Sequence, residues 1–176
     1  MALSKIQSES INLADTFAFT GTVSGAGGGI FESQLLHVRD EKSQNTASQS
    51  ISAGDNVREL NTVKTNEITG ASLSSNQITL PAGTYYIQAR QSLINTGKSQ
   101  AKLKNATDSS DIFRGSSMDV GGSEDKPHDT WLFGRFTISA SKAIEVIAQA
   151  EQSGNGGSRT NLGTEVFTDV QIWKVA

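Results

Sequence analysis

The sequence predicts an all-β protein built as an antiparallel sandwich or jelly roll. Three observations carry this reading. From residue 30 onward the apolar residues recur with a period of two rather than 3.6, no helix longer than a turn is evident, and polar, glycine-rich segments interrupt the alternation. The chain has 176 residues with 35% hydrophobic side chains, enough for one packed core and not for two.

The first twenty residues do not share this alternation. Leu3, Ile6, Ile11, Leu13, Phe17 and Phe19 are scattered among Ser, Asn and Gln, and five glycines follow between positions 21 and 29. A run with so few side chains to pack is a flexible joint, which separates the apolar residues before it from the core after it. Two Phe within three residues argue against a frayed tail, because disordered segments are depleted in aromatics. The expected organisation is an attachment arm and hinge over 1–29 and a β head over 30–176.

Strands are expected in the head at residues 34–40, 56–64, 77–80, 83–93, 99–105, 111–114, 130–138, 143–150 and 164–175. In 83–93, Tyr85, Ile87 and Ala89 face one way, and Gln88 and Arg90 the other. In 143–150, Ile144, Val146, Ala148 and Ala150 alternate against Glu145 and Gln149. In the last strand Val166, Val170 and Ile172 share a face with Thr168, opposed by Asp169 and Gln171. One dry and one wetter face per strand is the pattern of stacked antiparallel sheets. The turn-rich segments 94–98, 116–129 and 152–163 fall at one pole if the strands simply alternate in direction, opposite the C-terminus.

Composition narrows the function classes. Fifteen basic and eighteen acidic side chains give a formal charge of -3 with no block of like charge, so neither nucleic acid nor anionic lipid is an expected partner. No stretch has the length and apolarity of a membrane span, and no cysteine is present for a disulfide framework or a thiolate site. The N-terminus has no apolar run of the kind a secretory signal needs, which reads as synthesis in the cytosol and exit by lysis or within a larger particle. The two histidines, His37 and His128, lie far apart, and no His-Glu-x-x-His or Gly-x-Ser-x-Gly arrangement occurs. The carboxylates are dispersed. Those at 119, 124, 125 and 129 lack calcium-loop spacing. No cofactor, metal or enzymatic activity is expected.

The stretch Leu80-Pro81-Ala82-Gly83-Thr84-Tyr85 resembles the C1q and tumour-necrosis-factor-like jelly rolls, whose central strand follows an apolar-x-x-Pro-x-x-Gly-x-Tyr-x-apolar pattern. Pro81 and Gly83 make a corner there and Tyr85 begins the buried face. A closer similarity is to bacteriophage virion proteins, particularly marine ones. It runs through the arm from Ser4 to Gly21, then Ala101 to Asp108, Gly134 to Ile138, and the ending from Gly163 to Val175. The resemblance implies a C1q/TNF-like head that forms a homotrimer, in a virion surface protein attached by its arm to tail or capsid proteins. A tail fibre or spike tip is the leading expectation, a capsid decoration protein the alternative, and a free lectin-like module a more distant one.

Particular side chains follow from these readings. Leu3, Ile6, Ile11, Leu13, Phe17 and Phe19 would dock into a virion partner. Tyr86, Trp131, Phe133 and Trp173 lie on the opposite parity from their strands' apolar sets or beside them, where large aromatics call for a neighbouring subunit, so they are expected at the trimer interface, with a place under a loop or at the core edge as the alternative. Ser116, Asp119, Glu124, His128, Asn155 and Arg159 are expected on exposed polar loops, offered to a host surface glycan or protein.

Overall fold

A computed structural model describes residues 34–120 and 126–175. The arm, with its six apolar anchors, and Glu124 lie outside the described residues. The described chain is all β. In order the strands are β1 (Gln34–Lys42), β2 (Ser50–Ile51), β3 (Gly54–Val57), β4 (Thr62–Asn66), β5 (Ser72–Ser74), β6 (Gln77–Leu80), β7 (Gly83–Ile94), β8 (Lys98–Asn105), β9 (Ser110–Asp119), β10 (Pro127–Ile138), β11 (Lys142–Ala150), β12 (Gly154–Asn155) and β13 (Glu165–Lys174). They form two antiparallel sheets. The first runs β4-β1-β13-β7 with β10 on the far side of β7, and with β12 and then β2 continuing from the end of β7; the second runs β5-β6-β11-β8-β9, with β3 also on β11.

The predicted corner is present. Tyr85 is fully buried, and its hydroxyl donates to the Pro81 carbonyl at 2.7 Å, while the ring stacks on Phe136 at 5.5 Å. Ile87 and Ala89 follow it into the core, opposite Gln88 and Arg90, as the alternation predicts.

Three expectations need correction. Residues 56–64 are not one strand: β3 pairs with β11 in the second sheet and β4 with β1 in the first, so the chain changes sheets between them. The crossing is bonded at both ends, by Arg58 N–H to the Val146 carbonyl at 2.8 Å and Asn61 N–H to the Arg39 carbonyl at 2.9 Å. In β13 the register shifts where Asp40 pairs with Thr168 and Glu41 with Val166, leaving Phe167 as the extra residue. The bulge buries Phe167 beside Thr168 and turns Val166 out of the shared face. The loop expected at 116–129 is short, because β9 runs on to Asp119 and β10 starts at Pro127, which sits at the first position of a strand, where its missing N–H is tolerated.

Gly115 explains the longer β9. A Cβ there would lie 2.1 Å from the Trp131 carbonyl oxygen, so glycine lets β9, at the edge of the second sheet, close against β10, at the edge of the first. Gly115→Ala is expected to cost roughly 1–3 kcal/mol or more, because the obstacle is backbone that cannot rotate away. A lowered urea midpoint at unchanged slope checks this.

The core is not uniform. Successive inward rows across β1, β13, β7 and β10 read Val38-Val170-Ala89-Leu132 and then Asp40-Thr168-Gln91-Thr130. The apolar row belongs to the main core, and beyond the polar row Leu93 packs with Ile51, Ala148 and Ala150 in a smaller cluster. A buried polar layer therefore crosses the sandwich between two apolar ones.

Candidate functional site

The outward face of the first sheet gathers the four aromatics expected at an interface. Its rows follow from the registers. Arg135, Tyr86, Trp173 and Leu35 form one; Phe133, Gln88, Gln171 and His37 the next; Trp131, Arg90, Asp169 and Arg39 the third. Each is the residue opposite in parity to a buried neighbour, such as Leu132 between Trp131 and Phe133 or Ile172 beside Trp173. Trp131 and Phe133 stack with ring centroids 5.6 Å apart and planes 8° off parallel, and Tyr86 and Trp173 meet at 6.5 Å. Phe133 is 55% exposed and Tyr86 44%, far more than large aromatics keep without a covering surface.

Between the aromatic pairs the face is polar, and the charges of Arg39, Arg90 and Asp169 are matched. Asp169 accepts from Arg39 Nε at 2.7 Å and lies 2.9 Å from His37 Nε2, and Arg90 pairs with Asp129 at 3.1 Å. Nε2 of His37 is also 3.0 Å from Arg39 Nε, so its tautomer decides whether it donates to the carboxylate or accepts from the guanidinium. Ser92 donates to Asp129 at 2.6 Å, and Arg90 also reaches the Val166 carbonyl at 3.0 Å. A hollow of about 180 Å³ opens among Gln88, Arg90, Trp131, Asp169 and Gln171. Of the charged side chains on these three rows, exposed Arg135 beside Tyr86 alone has no ion-pair partner among the described residues, so an opposing surface must supply one or leave it at the rim.

The pole opposite the C-terminus is where strand parity places it. Ile94 faces Pro127 and Asn155, Lys98 faces Asp119, and Ser99 faces Ala150, whereas Lys174 pairs with Tyr85 at the other end. The residues expected on pole loops divide. Arg159 lies on an exposed loop and donates to the Asn45 carbonyl at 3.3 Å. Asn155 is exposed but in β12; Ser116 and Asp119 are exposed but in β9. Ser116 is tied to the sheet junction, its hydroxyl accepting from Trp131 N–H at 2.7 Å. His128 is in β10 and points between the sheets, its Nε2 2.8 Å from Ser99 Oγ, so it is a half-buried cross-sheet contact and not a loop tip. The signal for this was its even parity with Thr130 and Leu132.

Sequence reasoning missed what holds the pole loop from beneath. Arg58 is fully buried, donating from Nε to Thr168 Oγ1 at 3.1 Å and from Nη2 to the Gly156 carbonyl at 2.9 Å. Desolvation lowers its guanidinium to about 10, which leaves it charged at neutral pH. At the far end of the loop, Glu165 accepts from the N–H groups of Thr160 at 3.0 Å and Asn161 at 2.8 Å, and these bonds hold its carboxyl below the ordinary range. Its contribution to loop order is therefore present at neutral pH and lost as the pH falls through that lowered value. Glu165→Gln is expected to loosen residues 160–164 at neutral pH, read as faster amide exchange there. Among the described residues no group of three or more His, Asp or Glu is placed to hold a metal ion.

No protein-family model matches the sequence, and no curated relative does. Solved structures do match in fold. The chain is similar to the structure of Eiger TNF from S. frugiperda, with a TM-score of 0.58 at 11% identity over 82% of this chain and 93% of that one. It is similar to the crystal structure of murine APRIL at pH 8.0, with a TM-score of 0.54 at 10% identity over 81% of this chain and 99% of that one. At such low identity the likeness speaks for the fold alone, and with the two antiparallel sheets it establishes that this chain is a C1q/TNF-like jelly-roll sandwich.

Proposed function

We propose that this protein is a non-enzymatic surface component of a bacteriophage virion. Its jelly-roll head self-associates as a homotrimer through the outward face of the first sheet, and residues 1–29 tether it to a tail or capsid protein. The observation that carries the reading is the pairing of Trp131 with Phe133 and of Tyr86 with Trp173 on a sheet face whose charges, Arg135 apart, are internally matched. A threefold arrangement buries that face and leaves the pole of Arg159 and Asn155 outward, where weak polar contacts to a host surface multiply by valency. The virion assignment rests on the resemblance that runs from the arm to the C-terminal strand.

The arm acts by burial. Six apolar side chains at about 1.5–3 kcal/mol each, presented three times, are enough to anchor a particle component. Deletion of residues 1–20 is expected to leave a folded, soluble trimer that no longer joins the particle, measured by co-sedimentation with assembled virions. Unfolding of the head on deletion contradicts the division into tether and head. Labelling the trimer on intact particles then assigns it to the tail tip or the capsid shell.

A further inference from the structure

We infer that the buried polar layer of the sandwich is a solvent-binding site, a file of internal water molecules running across the first sheet from Asp40 to Thr130. Asp40, Thr168, Gln91 and Thr130 stand side by side on four adjacent strands, each no more than 1% exposed, and Arg58 reaches in above Thr168. Each of these side chains except Thr168 keeps a buried atom with no hydrogen-bond partner: Asp40 Oδ2, Arg58 Nη1, Gln91 Oε1 and Thr130 Oγ1. Their other atoms are engaged. Asp40 Oδ1 accepts from Asn61 Nδ2 at 3.2 Å, and Gln91 Nε2 donates across the core to the Ile147 carbonyl at 3.0 Å.

The chemistry of the four atoms identifies the ligand. Arg58 Nη1 only donates, Asp40 Oδ2 and Gln91 Oε1 only accept, and the threonine hydroxyl does either. A bound anion would satisfy Arg58 and repel Asp40, and a bound cation would do the reverse. Water serves both kinds. Distance points the same way: three strand separations place the ends of the row about 14 Å apart, beyond the reach of one ion and spanned by linked waters. The apolar rows on either side confine the file to this layer.

A high-resolution crystal structure of the full chain tests this directly. Ordered waters bonded to Arg58 Nη1 and Gln91 Oε1 are expected, linked toward Asp40 Oδ2 and Thr130 Oγ1. A dry layer in which Asp40 and Arg58 have turned into a direct ion pair overturns the inference, as does density for a single ion. In solution, oxygen-17 relaxation dispersion of water should lose amplitude in the Gln91→Leu, Thr130→Val variant relative to the parent chain. Equal amplitude in a folded variant overturns the inference too, and if the variant does not fold, the parent crystal structure decides alone.

Discussion

Replacing Tyr86 and Phe133 together by aspartate is expected to reduce the solution mass threefold while leaving the head folded. Both rings stand on the outward face, 44% and 55% exposed, so neither substitution opens a cavity in the core. Loss of the two ring pairs, at about 0.5–1.5 kcal/mol each, lowers the stability of the isolated head without unfolding it. Their effect on association is much larger, because the two exposed rings that would anchor the interface are lost and charge enters the face in all three copies. Sedimentation velocity reads the mass and circular dichroism reads the fold. A variant that keeps the parent mass would move the interface off this face. Loss of the β spectrum together with mass would mean that the rings hold up the head itself.

Arg58→Ala carries the largest expected stability effect within one chain. It removes the donors to Thr168 and Gly156 and takes a favourable positive charge away from buried Asp40, which keeps Lys42. Two hydrogen bonds from a charged donor are lost, at about 1.5–3 kcal/mol each, a large part of what a domain of this size has. Burial already raises the Asp40 carboxyl above its ordinary value, against the opposing pull of Lys42. A raised acid binds its proton more tightly in the folded state, so stability from Asp40 grows as the pH falls through the raised value, and the gain is complete below the unfolded one. The deficit of Arg58→Ala is therefore expected to be greatest near neutral pH and to shrink on acidification. Adding Asp40→Asn should recover part of it at neutral pH, measured as a double-mutant cycle in urea.

Much of the fold is legible in local pattern, because alternation reports burial one strand at a time. Residues 77–80 form β6 with the bounds the alternation sets, and the Pro81-Gly83-Tyr85 corner follows from backbone chemistry. The four face aromatics are legible for the same reason, since parity alone puts Trp131 and Phe133 opposite Leu132. What alternation does not encode is where a strand changes sheet or gains a residue. The apolar set of 56–64 looks continuous, yet its two halves pair in different sheets around Arg58. The bulge at Phe167 moves Val166 to the other side without any local turn residue to announce it. Gly115-Ser116-Ser117 has the composition of a turn and forms strand instead, because the glycine serves a close approach to Trp131 that comes from the fold. The polar layer was hidden most deeply. Asp40, Arg58, Gln91, Thr130 and Thr168 are each unremarkable in sequence, and only the registers bring them into one row.

The solution mass of the full chain, determined by sedimentation equilibrium, bears most directly on the proposal. Three times the chain mass of 18.7 kDa is the predicted result, holding across a range of protein concentrations. A single-chain mass throughout that range, with the outward aromatics left in water, would contradict it.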